Sequence, residues 1–461
     1  MTSLQCISPV DSRIYVERAY ATDSSIQRSL QAAKKAQKQW RDTPLWERKQ
    51  LCAKAVDWFV DQKEEIAHEL VWQMGRPCSF AGIELNGFEE RARHMIDIAE
   101  SSLAPVAPEP KDGFTRYIER SPLGLVFVIA PWNYPYLTSV NAIIPALLAG
   151  NVVILKHSAQ TPLCAERYAQ AFEAAGLPEG VFQHLHLDHD STAKMIGCDD
   201  VDFVAFTGSV AGGKMVEEAA AGRFIGVGLE LGGKDPAYVR GDAKLDYAIE
   251  TLVDGAFFNS GQSCCGIERI YVHQSVYDEF VGGAVDLMNR YVLGRSDDTA
   301  TTLGPMVRSG AADFVRDQTL EALSKGAIAH GDIDNFPLDE VGSPYLAPQI
   351  LTNVNHSMRI MREESFGPVV GIMPVKDDSE AIVLMNDSPY GLTASVFTQD
   401  QAAAVRIGGQ VDTGTWFMNR CDYLDPALAW TGVKNSGRGC TLSQVGFEHL
   451  TRPKSFHLKS L

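Results

Sequence analysis

The sequence predicts an α/β protein built on two doubly wound parallel sheets. Two observations indicate this class. Short apolar runs alternate with stretches of helical periodicity, and the alternation occurs twice along the 461 residues. Continuous apolar runs are typical of strands buried on both faces of a parallel sheet. A chain of this length is also too long for one simple core, so we expect two or three domains.

The N-terminal part is predicted to be helical from Ser24 to Gly75, with Ser24 or Ser25 as the capping residue. A turn at Thr43-Pro44 divides this region into two amphipathic helices. Three prolines between Leu103 and Pro110 then break the regular structure. The helical region therefore precedes the first strand of the sheets.

Apolar runs mark the predicted strands in both parts of the chain, and a helix over Thr161–Ala175 separates two of them. The junction between the two parts is expected near Glu230–Gly233. The predicted strands are Val126–Ala130, Val152–Leu155 and Val201–Phe206 in the first part, and Ile270–Val272, Val369–Val375, Ala394–Phe397 and Gly414–Phe417 in the second. Two further segments, Thr115–Arg120 and Ser455–Leu458, alternate as exposed edge strands do.

Composition excludes several function classes. The net charge of −17 argues against nucleic-acid binding, which needs a basic surface. The sequence shows neither a secretory signal nor an apolar run long enough to span a membrane, so we expect a cytoplasmic protein without a membrane partner. Its nine cysteines form no Cys-x-x-Cys pair and are read as reduced thiols.

One of these cysteines, Cys264, lies in the segment Asn259-Ser-Gly-Gln-Ser-Cys-Cys265 after an apolar helix. Gly261 permits a sharp turn that presents the next side chains to a cleft. A partly ionised thiol is a strong nucleophile, although most cysteines in proteins are inert. The roles of Cys265 and Cys421 stay open.

The segment around Cys264 resembles the nucleophile motif of the aldehyde dehydrogenase superfamily, and further segments match that family in order. They are Pro131–Pro135, Leu155-Lys156 with Thr161-Pro162, Phe206–Ser209 with Gly213, Leu229–Lys234 and Glu363–Pro368. The likeness covers the whole chain and is distantly similar to short bacterial succinate-semialdehyde dehydrogenases.

The resemblance implies the domain organisation and the assembly. It implies a Rossmann-like dinucleotide-binding domain over residues 1–103 and 123–229 and a catalytic domain over 230–450. Residues 104–122 and 451–461 are then strands of a small β oligomerisation arm. Because such strands pair across subunits in the family, we predict a homodimer or a homotetramer.

The resemblance also implies three catalytic residues. Cys264 is the nucleophile, Asn133 is the oxyanion donor, and Glu230 is the base that activates water. From its residue context alone, Asn133 between two prolines could equally be a turn residue. The reaction that follows is NAD(P)⁺-dependent oxidation of an aldehyde to a carboxylic acid through a thioester, and the glutamate favours hydrolysis. The alternatives are a semialdehyde dehydrogenase of the succinate-semialdehyde type, an enzyme that acylates coenzyme A, and a catalytically silent structural relative.

The cofactor implied is NAD or NADP, bound without the usual Gly-x-Gly-x-x-Gly fingerprint. NAD-preferring members often carry a glutamate where this chain has Ala159, so we expect NADP to be at least tolerated. Lys156, His157 or Ser158 would donate to a 2′-phosphate. The residues implied in cofactor binding are Lys156, Ser158, Ala159, Gly208, Ser209, Gly213, Trp132, Leu231, Glu364 and Phe366.

The predicted substrate tunnel has mixed polarity. Succinate-semialdehyde dehydrogenases usually carry an arginine where this chain has Asn141, which speaks against that substrate. Arg420 is a candidate substitute for the arginine, and Asp422 a candidate partner for an amine. The full set is Tyr134, Thr138, Asn141, Ser263, Cys265, Arg420, Asp422, Leu424 and Trp430. We predict no functional metal, although His184, His186 and Asp188 form a cluster with metal-binding side chains.

Overall fold

The computed structural model describes residues 3–331 and 333–461. The chain begins with a hairpin and continues into five helices. They are β1 (Ser3–Ile7), β2 (Ile14–Ala19), α1 (Asp23–Trp40), α2 (Leu45–Asp61), α3 (Lys63–Met74), α4 (Cys78–Ala81) and α5 (Ile83–Leu103). The predicted helical region and its interruption at Pro44 are confirmed. The predicted cap is wrong, because the Thr22 hydroxyl, rather than Ser24 or Ser25, accepts the Ser25 N–H at 3.2 Å.

The first sheet follows the helical region. Its segment of the chain contains β3 (Phe114–Pro122), β4 (Leu125–Ala130), α6 (Pro135–Leu148), β5 (Val152–His157), α7 (Pro162–Ala174), β6 (Phe182–His184), α8 (His189–Ile196), β7 (Phe203–Thr207), α9 (Val210–Ala220) and β8 (Gly226–Glu230). Five parallel strands lie in the order β8-β7-β4-β5-β6. The strand order reverses between β4 and β7, and a doubly wound sheet binds ligands at such a switch point.

The second sheet lies in the segment from β9 (Asp235–Val239) to β16 and contains seven of its strands, all except β14. The elements are β9, α10 (Leu245–Phe257), β10 (Ile267–His273), α11 (Tyr277–Met288), α12 (Ser309–Ser324), β11 (Ile328–His330), β12 (Gln349–Thr352), β13 (Val369–Val375), α13 (Asp378–Asn386), β14 (Tyr390–Gly391), β15 (Thr393–Phe397), α14 (Gln401–Gly408) and β16 (Thr415–Met418). Short 3₁₀ helices lie at Phe258–Gly261, Ile333–Asn335 and Arg359–Met361. The order is β11-β12-β13-β10-β9-β15-β16, with only β11 antiparallel among these described strands.

Each strand predicted for the two sheets is present, with end points that differ by up to three residues. The strands β6, β8, β9, β11 and β12 of these sheets were not predicted. β9 begins with Asp235-Pro236, which reads as a turn, and β12 has only four residues. The predicted fold class of two parallel α/β sheets is confirmed. The chain passes from the first sheet to the second between Glu230 and Asp235.

The end of the chain returns to the first sheet. It contains β17 (Val433–Lys434), β18 (Gly437–Arg438), α15 (Ser443–His449) and β19 (Thr451–Lys459). β18 pairs antiparallel with β8, and Leu442, Phe447 and Leu450 pack into the core of the first sheet. The C-terminal segment therefore packs against the first sheet, although the second sheet lies between the two in sequence. The two predicted edge strands lie in β3 and β19, which pair antiparallel with each other.

Candidate active site

A cavity of about 860 Å³ lies where the carboxyl ends of β4, β7 and β8 meet the loop before β10. Most of the predicted site residues line it. They are Trp132, Asn133, Tyr134, Thr138, Asn141, Gly208, Ser209, Glu230, Leu231, Ser263, Cys264, Cys265, Glu364, Phe366, Asp422, Leu424 and Trp430. Lys156, Ser158, Ala159, Gly213 and Arg420 lie outside this lining. The fold therefore brings the three predicted catalytic residues together from three separate elements.

The loop that carries Cys264 has a constrained backbone. Asn259, Ser260 and Gly261 have φ of 54°, 56° and 68°, so three successive residues are left-handed. Such positions are costly for residues with a side chain and tend to occur at functional sites. A Cβ on Gly261 would lie 2.2 Å from the carbonyl oxygen of Gly367, so only glycine fits. The turn leaves Cys264 half-buried at the cavity wall.

Asn133 is turned toward this loop. It is buried, and its Nδ2 donates to the Gln262 carbonyl oxygen at 3.2 Å. Because the amide has two N–H groups, one remains to face the cavity. The loop is in turn fixed by Gln262, whose Oε1 accepts the Val307 N–H at 2.7 Å. The position of Asn133 is therefore coupled to that of the loop that carries Cys264.

An ion pair that sequence reasoning missed holds Asn133 from behind. Arg76 and Glu84 are both buried and hydrogen-bonded to each other. The Arg76 guanidinium also donates to the Asn133 carbonyl oxygen at 2.6 Å and to Asn259 Oδ1 at 3.2 Å. Glu84 Oε1 accepts the Tyr136 N–H at 2.7 Å, which caps the first turn of α6. The Gly-Arg-Pro sequence at residues 75–77 is an ordinary turn signal and did not reveal this role.

Glu230 ends β8 and is held by two hydroxyls. Thr441 Oγ1 donates to its Oε1 at 2.5 Å and Thr207 Oγ1 to its Oε2 at 3.1 Å. Burial raises the pKa of Glu230, and these two hydrogen bonds oppose the increase. A carboxylate with a raised pKa is a suitable general base near neutral pH. Thr441 was not identified from the sequence, since it is 211 residues away from Glu230.

The thiols of Cys264 and Cys265 interact with each other. The neighbouring Cys265 thiol, followed by burial, raises the pKa of Cys264. The pKa of Cys265 is lowered, first by Cys264 and then by Ser263, against the effect of burial. Cys264 and Cys265 both line the cavity, and the two thiols shift each other's pKa in opposite directions. Cys421, which was left open, is buried and packs in the core of the second sheet.

The predicted cofactor segment beside β7 forms a helix N-terminus. Ser209 caps α9, and its Oγ accepts the Gly212 N–H at 3.1 Å. Gly213, also predicted to bind the cofactor, does not line the cavity, and a Cβ there would lie 2.8 Å from the Leu231 side chain. Gly213 is buried, so close helix packing accounts for this glycine.

The predicted cofactor segment begins at the end of β5, where Lys156 and His157 are largely buried. Lys156 is half-buried, and burial lowers its pKa. His157 is fully enclosed: its Nε2 lies 3.3 Å from the Pro135 carbonyl oxygen, and burial lowers its pKa from 6.5 to about 3. A neutral, enclosed imidazole is not available to a 2′-phosphate, so that suggestion is wrong for His157. The half-buried Ser158 and the exposed Ala159 follow it.

Glu364 lies at the other side of the cavity beside Gly232 and Gly233. Its Oε1 accepts the Gly233 N–H at 3.0 Å, and burial, followed by Glu268, raises its pKa to about 8. The segment is fixed by Glu268, which accepts Lys234 Nζ and the backbone N–H of Ser365. Sequence reasoning missed this buried pair. It holds Glu364 and Phe366 at the cavity wall, where the Phe366 ring lies edge-on to Trp132 at 5.8 Å.

The substrate side of the cavity contains Tyr134, with the Arg76 guanidinium 4.6 Å from its ring centre. Burial raises the pKa of Asp422 to about 7. The suggestion that Arg420 replaces the missing arginine is wrong. Arg420 is exposed, stacks on the Tyr423 ring at 3.6 Å and does not line the cavity.

The histidine cluster after β6 has a structural partner. His186 Nε2 lies 3.1 Å from Glu166 Oε1. Within residues 3–331 and 333–461, no group of three or more His, Cys, Asp and Glu side chains is arranged to hold a metal ion. None of the helices in this described part combines the length and apolar character of a membrane span.

Known proteins resemble this chain over nearly its whole length. The model of the aldehyde dehydrogenase family matches residues 1–456. The chain is 34% identical to 4,4′-diapolycopene aldehyde oxidase from Methylomonas sp, with 99% of this chain and 86% of that protein covered. It is 32% identical to the NAD(P)⁺ succinate semialdehyde dehydrogenase Sad from Escherichia coli K12, with 93% and 92% covered. The structure of succinic semialdehyde dehydrogenase from Streptococcus pyogenes in complex with NADP⁺ has a TM-score of 0.93 and 27% identity, with 99% and 100% covered.

Proposed function

This chain belongs to the aldehyde dehydrogenase family, and we propose that it oxidises an aldehyde to a carboxylic acid through Cys264, Asn133 and Glu230. One observation carries the proposal. A half-buried thiol, a buried amide and a carboxylate with a raised pKa line the same cavity. These are the nucleophile, the oxyanion donor and the base that aldehyde oxidation by hydrolysis requires.

The first step is the attack of the Cys264 sulfur on the aldehyde carbon, and the thiol proton passes to water in the cavity. A carbon–sulfur bond forms, and the carbonyl electron pair becomes an oxyanion. The free N–H of the Asn133 amide stabilises this oxyanion. One donor of this kind changes the rate about 10²- to 10³-fold.

Hydride loss from the tetrahedral carbon leaves a thioester on Cys264. Glu230 then takes a proton from water, and the water oxygen attacks the thioester carbon. The carbon–sulfur bond breaks, so the acid leaves and the sulfur regains a proton. Thr207 and Thr441 hold the Glu230 carboxylate before this step.

The residues around the cavity fit a nicotinamide dinucleotide. The N-terminus of α9 reaches it at Gly208 and Ser209, and helix N-termini bind phosphate groups. Glu364 presents a buried carboxyl group to ribose hydroxyls, while Trp132, Leu231 and Phe366 supply apolar wall. NAD(P)⁺, when bound, accepts the hydride. The Escherichia coli relative is an NAD(P)⁺ succinate semialdehyde dehydrogenase and the Streptococcus pyogenes structure contains NADP⁺, which supports this cofactor.

We further propose that NADP⁺ is tolerated, because Ala159 places no carboxylate against a 2′-phosphate. Lys156 and Ser158 are the candidate donors. Activity is assayed with NAD⁺ and with NADP⁺, and activity with NAD⁺ alone would contradict the proposal that NADP⁺ is tolerated.

We also propose that the chain assembles as a dimer or a dimer of dimers. β3 and β19 form a separate two-stranded sheet with much exposed surface, and isolated pairs of strands are only marginally stable in water. Pairing with a second subunit would cover the unpaired strand edges. Light scattering measures the mass, and a particle of 50.4 kDa would be the monomer and contradict the proposal.

Two variants test the chemistry. Cys264→Ser is expected to abolish aldehyde-dependent cofactor reduction, whereas Cys198→Ser, outside the cavity lining, is expected to retain it. Glu230→Gln is expected to give one equivalent of reduced cofactor in a burst and then turn over at least about 10²-fold more slowly. The exposed Glu218→Gln is its control.

The outcomes separate the alternatives. Full activity of Cys264→Ser would overturn the nucleophile assignment. A Glu230→Gln variant without any burst would show that the residue acts before hydrolysis. Product analysis with and without coenzyme A distinguishes hydrolysis from acyl transfer, and a thioester product would overturn the hydrolytic assignment.

A further inference from the structure

Arg91 is a buried cation that faces the candidate active site without an acidic partner. It lies on α5, is 8% exposed and lines the cavity. Its Nη1 donates to the Leu137 carbonyl oxygen at 2.6 Å. It forms no ion pair with any carboxylate in the described part of the chain. Unlike Arg76, this guanidinium is therefore not paired directly with a carboxylate of the described residues.

Asn141 lies beside it on α6. This side chain is 2% exposed, and its Oδ1 is 3.5 Å from Arg91 Nη1. Its Nδ2 is buried and has no hydrogen-bond partner among the described residues. Asn141 also lines the cavity. Two neighbouring polar side chains thus offer unsatisfied N–H donors at one wall.

Such an arrangement is unfavourable unless something accepts these hydrogen bonds. A buried charge without a partner and a buried N–H without an acceptor each reduce stability. The other charged groups near Arg91 are already engaged. Glu84 is hydrogen-bonded to Arg76, and Glu230 accepts hydrogen bonds from two threonine hydroxyls. No described residue therefore accepts the free Asn141 N–H or pairs directly with Arg91, and a group bound in the cavity can do both.

We propose that Arg91 and Asn141 bind a carboxylate on the aldehyde substrate. This inference rests on the proposed function and narrows its substrate class to aldehydes that carry a carboxylate group. A guanidinium forms two parallel hydrogen bonds with a carboxylate, and the Asn141 amide adds a third donor.

The inference changes one expectation from the sequence. Asn141 stands where succinate-semialdehyde dehydrogenases carry an arginine, which spoke against a carboxylated substrate. In the structure a guanidinium reaches the same place from α5, the neighbouring helix. The positive charge has thus moved to a different element while remaining next to position 141.

Acidic residues also line the cavity, and they would favour a different class of substrate, aldehydes that carry an amine. Glu90 and Asp422 line the cavity, and Glu90 Oε1 accepts the Tyr423 hydroxyl at 2.6 Å. An aldehyde with an amine would favour these residues but would be repelled by Arg91. The two classes are therefore distinguished by charge alone.

The test compares 4-oxobutanoate with its neutral methyl ester, which has the same reacting carbon and chain. Arg91→Met is expected to lower kcat/KM for 4-oxobutanoate about 10- to 100-fold, mainly through KM, and to change that of the ester less than about 3-fold. Arg91→Lys, which keeps the charge but not the planar donor pair, is expected to fall between. Arg93→Met, two residues along α5 and paired with Asp57 and Glu89, is the matched control.

A binding measurement covers the case in which Arg91→Met folds poorly. Succinate, which cannot react, is titrated into the wild-type protein and into Asn141→Leu by calorimetry. We expect at least 10-fold weaker binding to the variant, with succinamide as the neutral comparison.

If Arg91→Met lowers kcat/KM equally for 4-oxobutanoate and for its methyl ester, Arg91 only supports the position of α6, and the proposal is overturned. Faster oxidation of aminoaldehydes than of 4-oxobutanoate would also overturn it. Oxidation of neutral aldehydes without any preference for the acid would reject the carboxylate site but leave the proposed function intact. Absence of all aldehyde oxidation would reject the proposed function itself.

Discussion

Replacing Thr441 by valine is expected to shift the pH dependence of thioester hydrolysis. The substitution keeps the shape of the side chain and removes the hydroxyl that donates to Glu230 Oε1. The backbone bonds between Thr441 and Trp430 do not depend on that hydroxyl. The change is therefore confined to one hydrogen bond on the base.

The magnitude follows from that bond. A hydrogen bond to a charged group contributes about 1.5–3 kcal/mol, and one pKa unit corresponds to about 1.36 kcal/mol. Glu230 is only partly buried and keeps its bond from Thr207, so we take the lower end. Because the Thr441 bond lowers the pKa of Glu230, its loss raises that pKa by about 1.

Steady-state turnover is measured against pH for a substrate whose hydrolysis limits the rate. Glu230 acts as the carboxylate, so the rate rises with pH through its pKa, and the midpoint of this rise is expected about 1 pH unit higher in Thr441→Val. On the acid limb the variant is then about 10-fold slower, while the alkaline plateau is similar. Thr431→Val, whose hydroxyl donates to the Gly439 carbonyl oxygen in the same segment, is the control. An unchanged or lower midpoint in a folded Thr441→Val variant would refute the reasoning.

Three further predictions concern the scaffold of the site. Gly261→Ala is expected to lower the free energy of unfolding by at least about 1–3 kcal/mol and to abolish activity, because its φ is 68° and a Cβ would meet the Gly367 carbonyl. Gly282→Ala, where a Cβ meets nothing within 4 Å, is the control in calorimetric unfolding, and equal effects of the two would contradict the argument. Glu84→Gln is expected to cost about 3 kcal/mol and to lower kcat, since it breaks a buried ion pair that supports Asn133, whereas Glu89→Gln in the exposed pair with Arg93 is expected to change urea unfolding by less than about 1 kcal/mol. Normal kcat in Glu84→Gln would show that Asn133 is positioned without Arg76. His157 is neutral when folded because its pKa is lowered from 6.5 to about 3, so its contribution is present above pH 6.5 and is lost as the pH falls toward 3, by about 1.4 kcal/mol per pH unit. His157→Gln is expected to flatten the pH dependence of urea unfolding in this window, the exposed His457→Gln to leave it unchanged, and a slope that stays the same in His157→Gln would contradict this assignment.

The sequence by itself determined the fold class and the identity of the central side chains. Periodicity identified the helices and most strands, because it reflects burial along a single element. The order of the segments around Asn133, Glu230, Cys264 and Glu364 predicted which side chains meet in the cavity.

Only the tertiary structure decided how these side chains are held and charged. Arg76 contacts Asn133 across 57 residues and Asn259 across 183, and Thr441 reaches Glu230 across 211. No local pattern encodes such pairs, because they form only when separate elements pack together. The enclosure of His157 and the exposure of Arg420 likewise depend on neighbours distant in sequence.

The guanidinium beside Asn141 is the clearest case. At position 141 the sequence shows the loss of a positive charge, while the fold restores that charge through Arg91 on another helix. Every element that lines a cavity contributes to its electrostatic potential, and a sequence motif on one element shows only the charges of that element. The reaction class was therefore readable from the sequence, whereas the buried guanidinium beside Asn141 became visible only after α5 and α6 were packed against each other.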